Sequence, residues 1–141
     1  MGQLPFFVYG TLRAGHGNHS VVAGALEAVL EARLPGHQLY AAGLPYIAPS
    51  QVAGVTVAGD LLLVRPGDYD RALARLDRLE GYDPPRRQLY VRAACRAQFR
   101  AGPGSAWQER DAWVYLGGAF FDYGPGLAVA SGDWAEACGR A

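Results

Sequence analysis

Residues 4–9, Leu-Pro-Phe-Phe-Val-Tyr, are apolar throughout and stop abruptly at Gly10. A strand with one wet face alternates apolar and polar residues; a run with no polar face must be covered on both sides. The run is therefore expected to be a central strand, and a chain built around it needs a packing layer on each face. A loop follows, with glycines at positions 10, 15 and 17. Successive backbone N–H groups in such a loop can converge on an anion or a developing oxyanion.

The rest of the chain limits what this strand can belong to. Its 141 residues suffice for one domain with one real core, taken as residues 1–141. Half of them are hydrophobic and 18% are charged, which excludes a disordered or fibrous chain. Thirteen basic and thirteen acidic residues cancel, so no basic stripe marks a nucleic-acid partner. Every basic residue is arginine, which excludes a Schiff-base, pyridoxal or P-loop lysine. Cys95 and Cys138 stand far apart and make no disulfide framework. There is no charged segment leading into an apolar stretch at the start, and no apolar run long enough to cross a bilayer. A soluble, cytoplasmic protein without a membrane partner is expected.

Periodicity and turn residues divide the chain further. Residues 20–30 begin as a helix capped by Ser20, or turn into strand from about residue 28. Strand is expected at 37–42, loop at 44–50 because of Pro45 and Pro49, and a long strand or hairpin arm at 52–64. Asp68 is expected to cap a helix over 69–80, with Gly81 at its C′ position. Pro84 and Pro85 then end regular structure. Residues 88–99 and 106–116 pair as a hairpin across a turn at 101–105. A glycine-rich aromatic loop leads to a short helix around Trp134, capped by Asp133. The sum is an α+β fold: a small mixed, mostly antiparallel, curled sheet or barrel with one main helix and short rim helices.

One residue breaks the pattern of that helix. At 100° per residue, Tyr69, Ala72, Leu73 and Leu76 share a face, with Arg71, Arg75 and Arg78 opposite. Glu80 falls on the apolar side, and Asp77 nearer its edge. A carboxylate aimed at a core is costly unless partnered. The negative end of the helix dipole and burial both raise its pKa toward the range of a general acid/base. The alternatives are a structural carboxylate paired with an arginine and an exposed glutamate on a frayed last turn.

Together these segments resemble a known family. Tyr9-Gly10-Thr11-Leu12-Arg13, with Gly15 and Asn18, resembles the opening signature of gamma-glutamylcyclotransferase-like proteins. Leu76-Asp77-x-x-Glu80-Gly81-Tyr82 resembles their second signature. Tyr90-x-Arg92, Ala112-Trp113-Val114-Tyr115 and Gly132-Asp133-Trp134 follow in the expected order. The resemblance implies a small barrel that releases 5-oxoproline from a gamma-glutamyl amide. It implies that Glu80 is the catalytic acid/base and that Tyr9, Gly10, Thr11 and Leu12 hold the glutamyl group. It also implies that Tyr115 positions substrate, and that the partner is a small molecule, with no cofactor and no metal. The loop reads Gly-Thr-Leu-Arg where the glutathione-pathway animal branch has Gly-Ser-Asn-Leu. The resemblance thus implies a reaction type and not a substrate.

Arg13 is open to two roles: pairing with a substrate carboxylate, or bracing the loop against an aspartate. His16 and His19 lack nearby further ligands for a zinc ion, and His16 is expected at the mouth of the site. Cys95 is expected to pack within its strand. Phe120, Phe121 and Tyr123 either rim the pocket or pack the loop. A non-catalytic relative that binds a small amino-acid-like ligand is the second functional reading.

Overall fold

The computed structural model describes residues 3–84 and 89–137. Its strands are β1 (Phe6–Val8), β2 (Leu26–Pro35), β3 (His37–Ala42), β4 (Leu44–Pro49), β5 (Thr56–Val64), β6 (Tyr90–Arg100) and β7 (Gln108–Gly117). Helix α1 spans Tyr69–Leu79 and α2 spans Trp134–Ala137, with single 3-10 turns between other elements. This is the expected α+β class.

Five strands close a barrel in the order β1-β5-β2-β6-β7. Closure is made by β1, which pairs antiparallel to β5 (Phe7 opposite Leu61) and parallel to β7 (Phe6 opposite Trp113). The central position explains the apolar run. Phe6, Phe7 and Val8 are at most 3% exposed. Phe7 points into the barrel with Leu34, Val57, Leu61 and Val114. Phe6 and Val8 point outward, to a second core with Leu62, Tyr69 and Leu76. One face fills the barrel and the other receives α1.

Helix α1 buries Tyr69, Ala72 and Leu76 on the face expected from the 3.6-residue period. Tyr69 Oη donates to the Leu4 carbonyl at 2.6 Å, fixing the helix start beside β1. At the other end, Gly81 takes φ +68°. Gly81 N–H donates to Arg78 O and Tyr82 N–H to Asp77 O, a Schellman ending with Gly81 at C′ as expected. Asp68 occupies the N-cap position without a side-chain cap bond; its carboxylate instead takes Arg65 Nε at 3.1 Å.

Several expectations are corrected. Residues 44–50 are not loop: β4 pairs with β3 from Ala42 opposite Leu44 to His37 opposite Pro49. Residues 20–25 form 3-10 turns rather than a capped α-helix, and strand begins at Leu26, ahead of residue 28. Residues 52–55 are turn, so β5 starts only at Thr56. Phe121 and Tyr123 pack on Tyr46 in the second core, with Phe121 stacked at 4.1 Å between ring centroids, while Phe120 is exposed. Cys95, as expected, packs within its strand: it sits in β6, half-buried against the barrel core, and burial pushes its thiol pKa up. Pro85, Gln88 and Cys138 lie outside the described residues.

Candidate functional site

The loop after β1 is shaped mainly by its own backbone. Arg13 N–H donates to Gly10 O at 3.1 Å and Asn18 N–H to Thr11 O at 2.8 Å. Asn18 Nδ2 donates to Thr11 Oγ1 at 2.7 Å, and His19 Nδ1–H to the Leu12 carbonyl at 2.9 Å. The loop is then pinned to β5, where Asp60 accepts the Ala14 N–H at 2.8 Å. Among the described residues, nothing accepts a hydrogen bond from the amides of Gly10, Thr11 or Leu12. They remain available as donors, and so does the Thr11 hydroxyl proton, since that oxygen is the acceptor for Asn18.

A cavity of about 170 Å³ opens beside this loop. Tyr9, Gly10, Thr11, Leu12, Glu80 and Tyr115 all line it. Six of the seven candidate site residues therefore meet at one place, although they are up to 106 positions apart in the chain. Arg13 does not line the cavity. Its guanidinium stands 3.7 Å from Asp60 and 3.1 Å from Asp133, which also caps α2 through the Ala135 N–H. Of the two roles open to Arg13, the structure shows the bracing one.

Glu80 follows the last residue of α1 and takes the C-cap position. Burial pushes its carboxyl pKa up to about 7. No described residue donates a hydrogen bond to it, so nothing offsets the desolvation of the charged form. Near neutral pH such a group exchanges protons readily in either direction.

Three tyrosines surround this carboxyl, and each has given its only proton away. Tyr9 Oη donates to the Tyr115 carbonyl at 2.6 Å and Tyr90 Oη to the Pro45 carbonyl at 2.7 Å. Tyr115 Oη donates to Asp77 Oδ1 at 2.6 Å. Burial raises the pKa of all three phenols first, with the Glu80 charge adding to it, so all are neutral. Each oxygen can therefore only accept. The cavity thus has a donor side, the loop, and an acceptor side, the phenols and Glu80. An α-amino acid headgroup, with one carboxylate and one ammonium, has the matching pair of charges.

Asp77 and Arg92 form the backing of this wall. Arg92 Nε donates to Asp77 Oδ1 at 2.9 Å, and the guanidinium lies 4.3 Å from the Trp113 ring centroid. Neither lines the cavity. Both stood in motifs of the sequence, but nothing there indicated that they meet. Tyr90 was likewise visible only as part of Tyr-x-Arg.

The two other candidate residues, His16 and His19, lie apart from this wall. The His16 ring stands 6.2 Å from Trp134. Among the described residues, no three His, Cys, Asp or Glu side chains gather around a metal-sized point. No described helix is long and apolar enough to cross a membrane.

A family model described as gamma-glutamyl cyclotransferase, AIG2-like, matches residues 6–136. No curated protein sequence matches the chain. YkqA from Bacillus subtilis is similar in fold, with TM-score 0.66 and 23% identity over 94% of this chain and 40% of that one. The chain thus spans less than half of YkqA. The uncharacterized protein PH0828 from Pyrococcus horikoshii gives TM-score 0.61 and 22% identity, covering 96% and 92%. The uropathogenic E. coli-specific protein c4763 gives 0.59 at 13% identity, covering 98% and 97%.

Proposed function

We propose, from the premise that this chain belongs to the gamma-glutamyl cyclotransferase, AIG2-like family, that it cleaves a gamma-glutamyl amide and releases 5-oxoproline. The observation that carries this reading is the placement of Glu80. Its carboxyl has a pKa near 7 and lines one small cavity with the donor loop. A pure binding site gains nothing from a desolvated carboxylate without a partner.

The chemistry follows from the two sides of the cavity. The substrate's α-carboxylate and γ-carbonyl take the amides of Gly10, Thr11 and Leu12 and the Thr11 hydroxyl. Its α-ammonium faces the phenolic oxygens of Tyr90 and Tyr115 and the Glu80 carboxylate. Glu80 removes a proton, and the freed amine attacks the γ-carbonyl carbon. A new N–C bond closes the lactam; the loop amides stabilise the oxyanion. Glu80 returns its proton to the amide nitrogen, and the C–N bond to that nitrogen breaks. A second proton leaves the ring nitrogen by the same relay, so the departing amine leaves as an ammonium and Glu80 ends ionised. The nucleophile belongs to the substrate, so no serine or cysteine is needed; holding it near the carbonyl replaces a bimolecular encounter.

The test is incubation with several gamma-glutamyl amides, reading 5-oxoproline by mass spectrometry. Release by the wild type and its loss in Glu80→Gln is the expected pair of results. Full activity in Glu80→Gln would sink the mechanism. Binding without turnover across the panel would make the protein a ligand-binding relative. A new amide in place of the lactam would make it an acyltransferase.

A further inference from the structure

We propose that the amine released by this protein carries an uncharged, apolar substituent, seated on Leu44, Pro45, Leu79 and Leu89 at the cavity mouth. The proposal rests on the cyclotransferase reading and adds the class of amide that is cleaved.

The first observation is size. A cavity of about 170 Å³ is small beside the ~300–1,000 Å³ of sites that enclose a whole drug-sized ligand. It encloses one end of a substrate. The other end must lie across the mouth.

The second is the chemistry of that mouth. Leu44, Leu79 and Leu89 are 48%, 40% and 39% exposed, and all three line the cavity. Single exposed leucines are ordinary, but three converging on one opening make a contiguous apolar patch of the kind that marks a ligand groove. Val29, Val91 and Phe120 are also exposed and do not line it. Pro45 extends the patch inward, where its carbonyl takes the Tyr90 hydroxyl. The surface is thus continuous with the phenol wall beside Glu80.

The third is charge. Glu80 is the one charged side chain among the described lining residues. Arg13 is held by Asp60 and Asp133, and Arg92 by Asp77. A leaving amine with a carboxylate, as in a dipeptide, would bring that anion toward Glu80 and lose hydration against the leucines. A leaving amine with a second ammonium would lose hydration against the leucines. An alkyl or aryl group has neither cost and covers the exposed leucines.

The experiment compares three substrates on the full chain: gamma-glutamyl-phenethylamide, gamma-glutamylglycine and gamma-glutamylputrescine. Their 5-oxoproline release gives kcat/KM, and calorimetry on Glu80→Gln gives their affinities without turnover. The phenethylamide is expected to lead each charged substrate by at least about tenfold, a ratio hydrophobic pockets commonly reach. Equal or better performance of either charged substrate overturns the proposal. If no lactam forms but Glu80→Gln still prefers the phenethylamide tenfold, the subsite stands and the cyclisation reading fails. Absence of binding by all three overturns the subsite as well. Leu44→Arg should narrow the ratio to gamma-glutamylglycine at least threefold; an unchanged ratio in a folded variant counts against it.

Discussion

Tyr115 donates its hydroxyl proton to Asp77 across 2.6 Å, and this bond ties β7 to the last turn of α1. Asp77 stands three residues before Glu80, and its backbone carbonyl accepts the Tyr82 N–H that ends the helix. The same carboxylate oxygen holds Arg92 on β6. One side chain therefore fixes both the tyrosine that faces the cavity and the helix end that delivers the carboxylate. Asp77 is a positioning residue, held out of the cavity it organises.

Asp77→Ala should accordingly affect two measurements. It leaves Arg92, 17% exposed at its side chain, without its ion-pair partner, and the Tyr115 hydroxyl without its acceptor. Urea denaturation should show a loss of about 2–4 kcal/mol. At temperatures where the variant is folded, kcat should fall more than KM rises, because Glu80 and Tyr115 are misplaced while the donor loop is intact. Asp77→Asn keeps an acceptor for Tyr115 and should recover part of the rate.

The pH profile should report Glu80 directly. Its carboxyl titrates at about 7, and in the proposed reaction it can act as base only when ionised. kcat/KM should rise with pH below that value and level off above it. Glu80→Gln should lose roughly 10²–10⁴ in rate, the usual range for a positioned acid/base, and the residual activity should no longer follow that limb.

The same residue sets a cost in stability. Glu80 holds its proton more tightly folded, at about 7, than at the ordinary carboxyl value of 4.5. Between these values the folded state binds more protons, so raising the pH favours unfolding. The stability tied to this group is whole below about pH 4.5 and lost as pH rises through about 7. Glu80→Gln should therefore be more stable than the wild type at pH 8, by roughly 1–2 kcal/mol after discounting for partial exposure. The difference should shrink toward zero at pH 4. Thermal melts of both proteins across this range check it.

Gly59 carries a purely structural prediction. A Cβ there would meet the Val8 carbonyl and stand 2.7 Å from Phe7 Cζ. Both belong to β1, packed on both faces, and neither can retreat. Gly59→Ala should cost about 3 kcal/mol or fail to fold. Gly126→Ala, with nothing within 4 Å of the added atom, should stay within about 0.5 kcal/mol of the wild type.

Much of this arrangement was legible before the structure, and the parts that were share a cause. The double burial of β1, the face of α1 and the inward Glu80 are local patterns, each set by a fixed periodicity. The Gly10 loop was legible because the run before it ends so sharply. Arg13 was not, because its two aspartates lie 47 and 120 residues away. Asp77 and Arg92 could be seen as polar residues in strands and helices, but their meeting depends on how α1 crosses the barrel. The segment at 20–25 carries a cap signal in Ser20, yet Val21, Val22 and Gly24 are weak helix formers, and the chain makes tight turns before Leu26 joins β5 opposite Val64. Here low helix propensity and tertiary pairing act together against the cap signal. The apolar mouth had no signal, since Leu44, Leu79 and Leu89 belong to three different segments.

Strand β4 is the other element that sequence patterns concealed, and its prolines have a use of their own. The barrel has no free edge, but the β3–β4 pair stands outside it. Beyond β3 lies the segment that bridges Tyr40 to Ala128 and donates Val129 N–H to Leu39 O. On β4, Pro45 is buried with its carbonyl taken by the Tyr90 hydroxyl, and Pro49, at the exposed end, lacks the N–H group that an incoming strand would need. A row interrupted in this way is a poor template for pairing with another chain. The two residues that make β4 look like a loop thus leave little of this edge able to take another strand, beside an opening lined by exposed leucines.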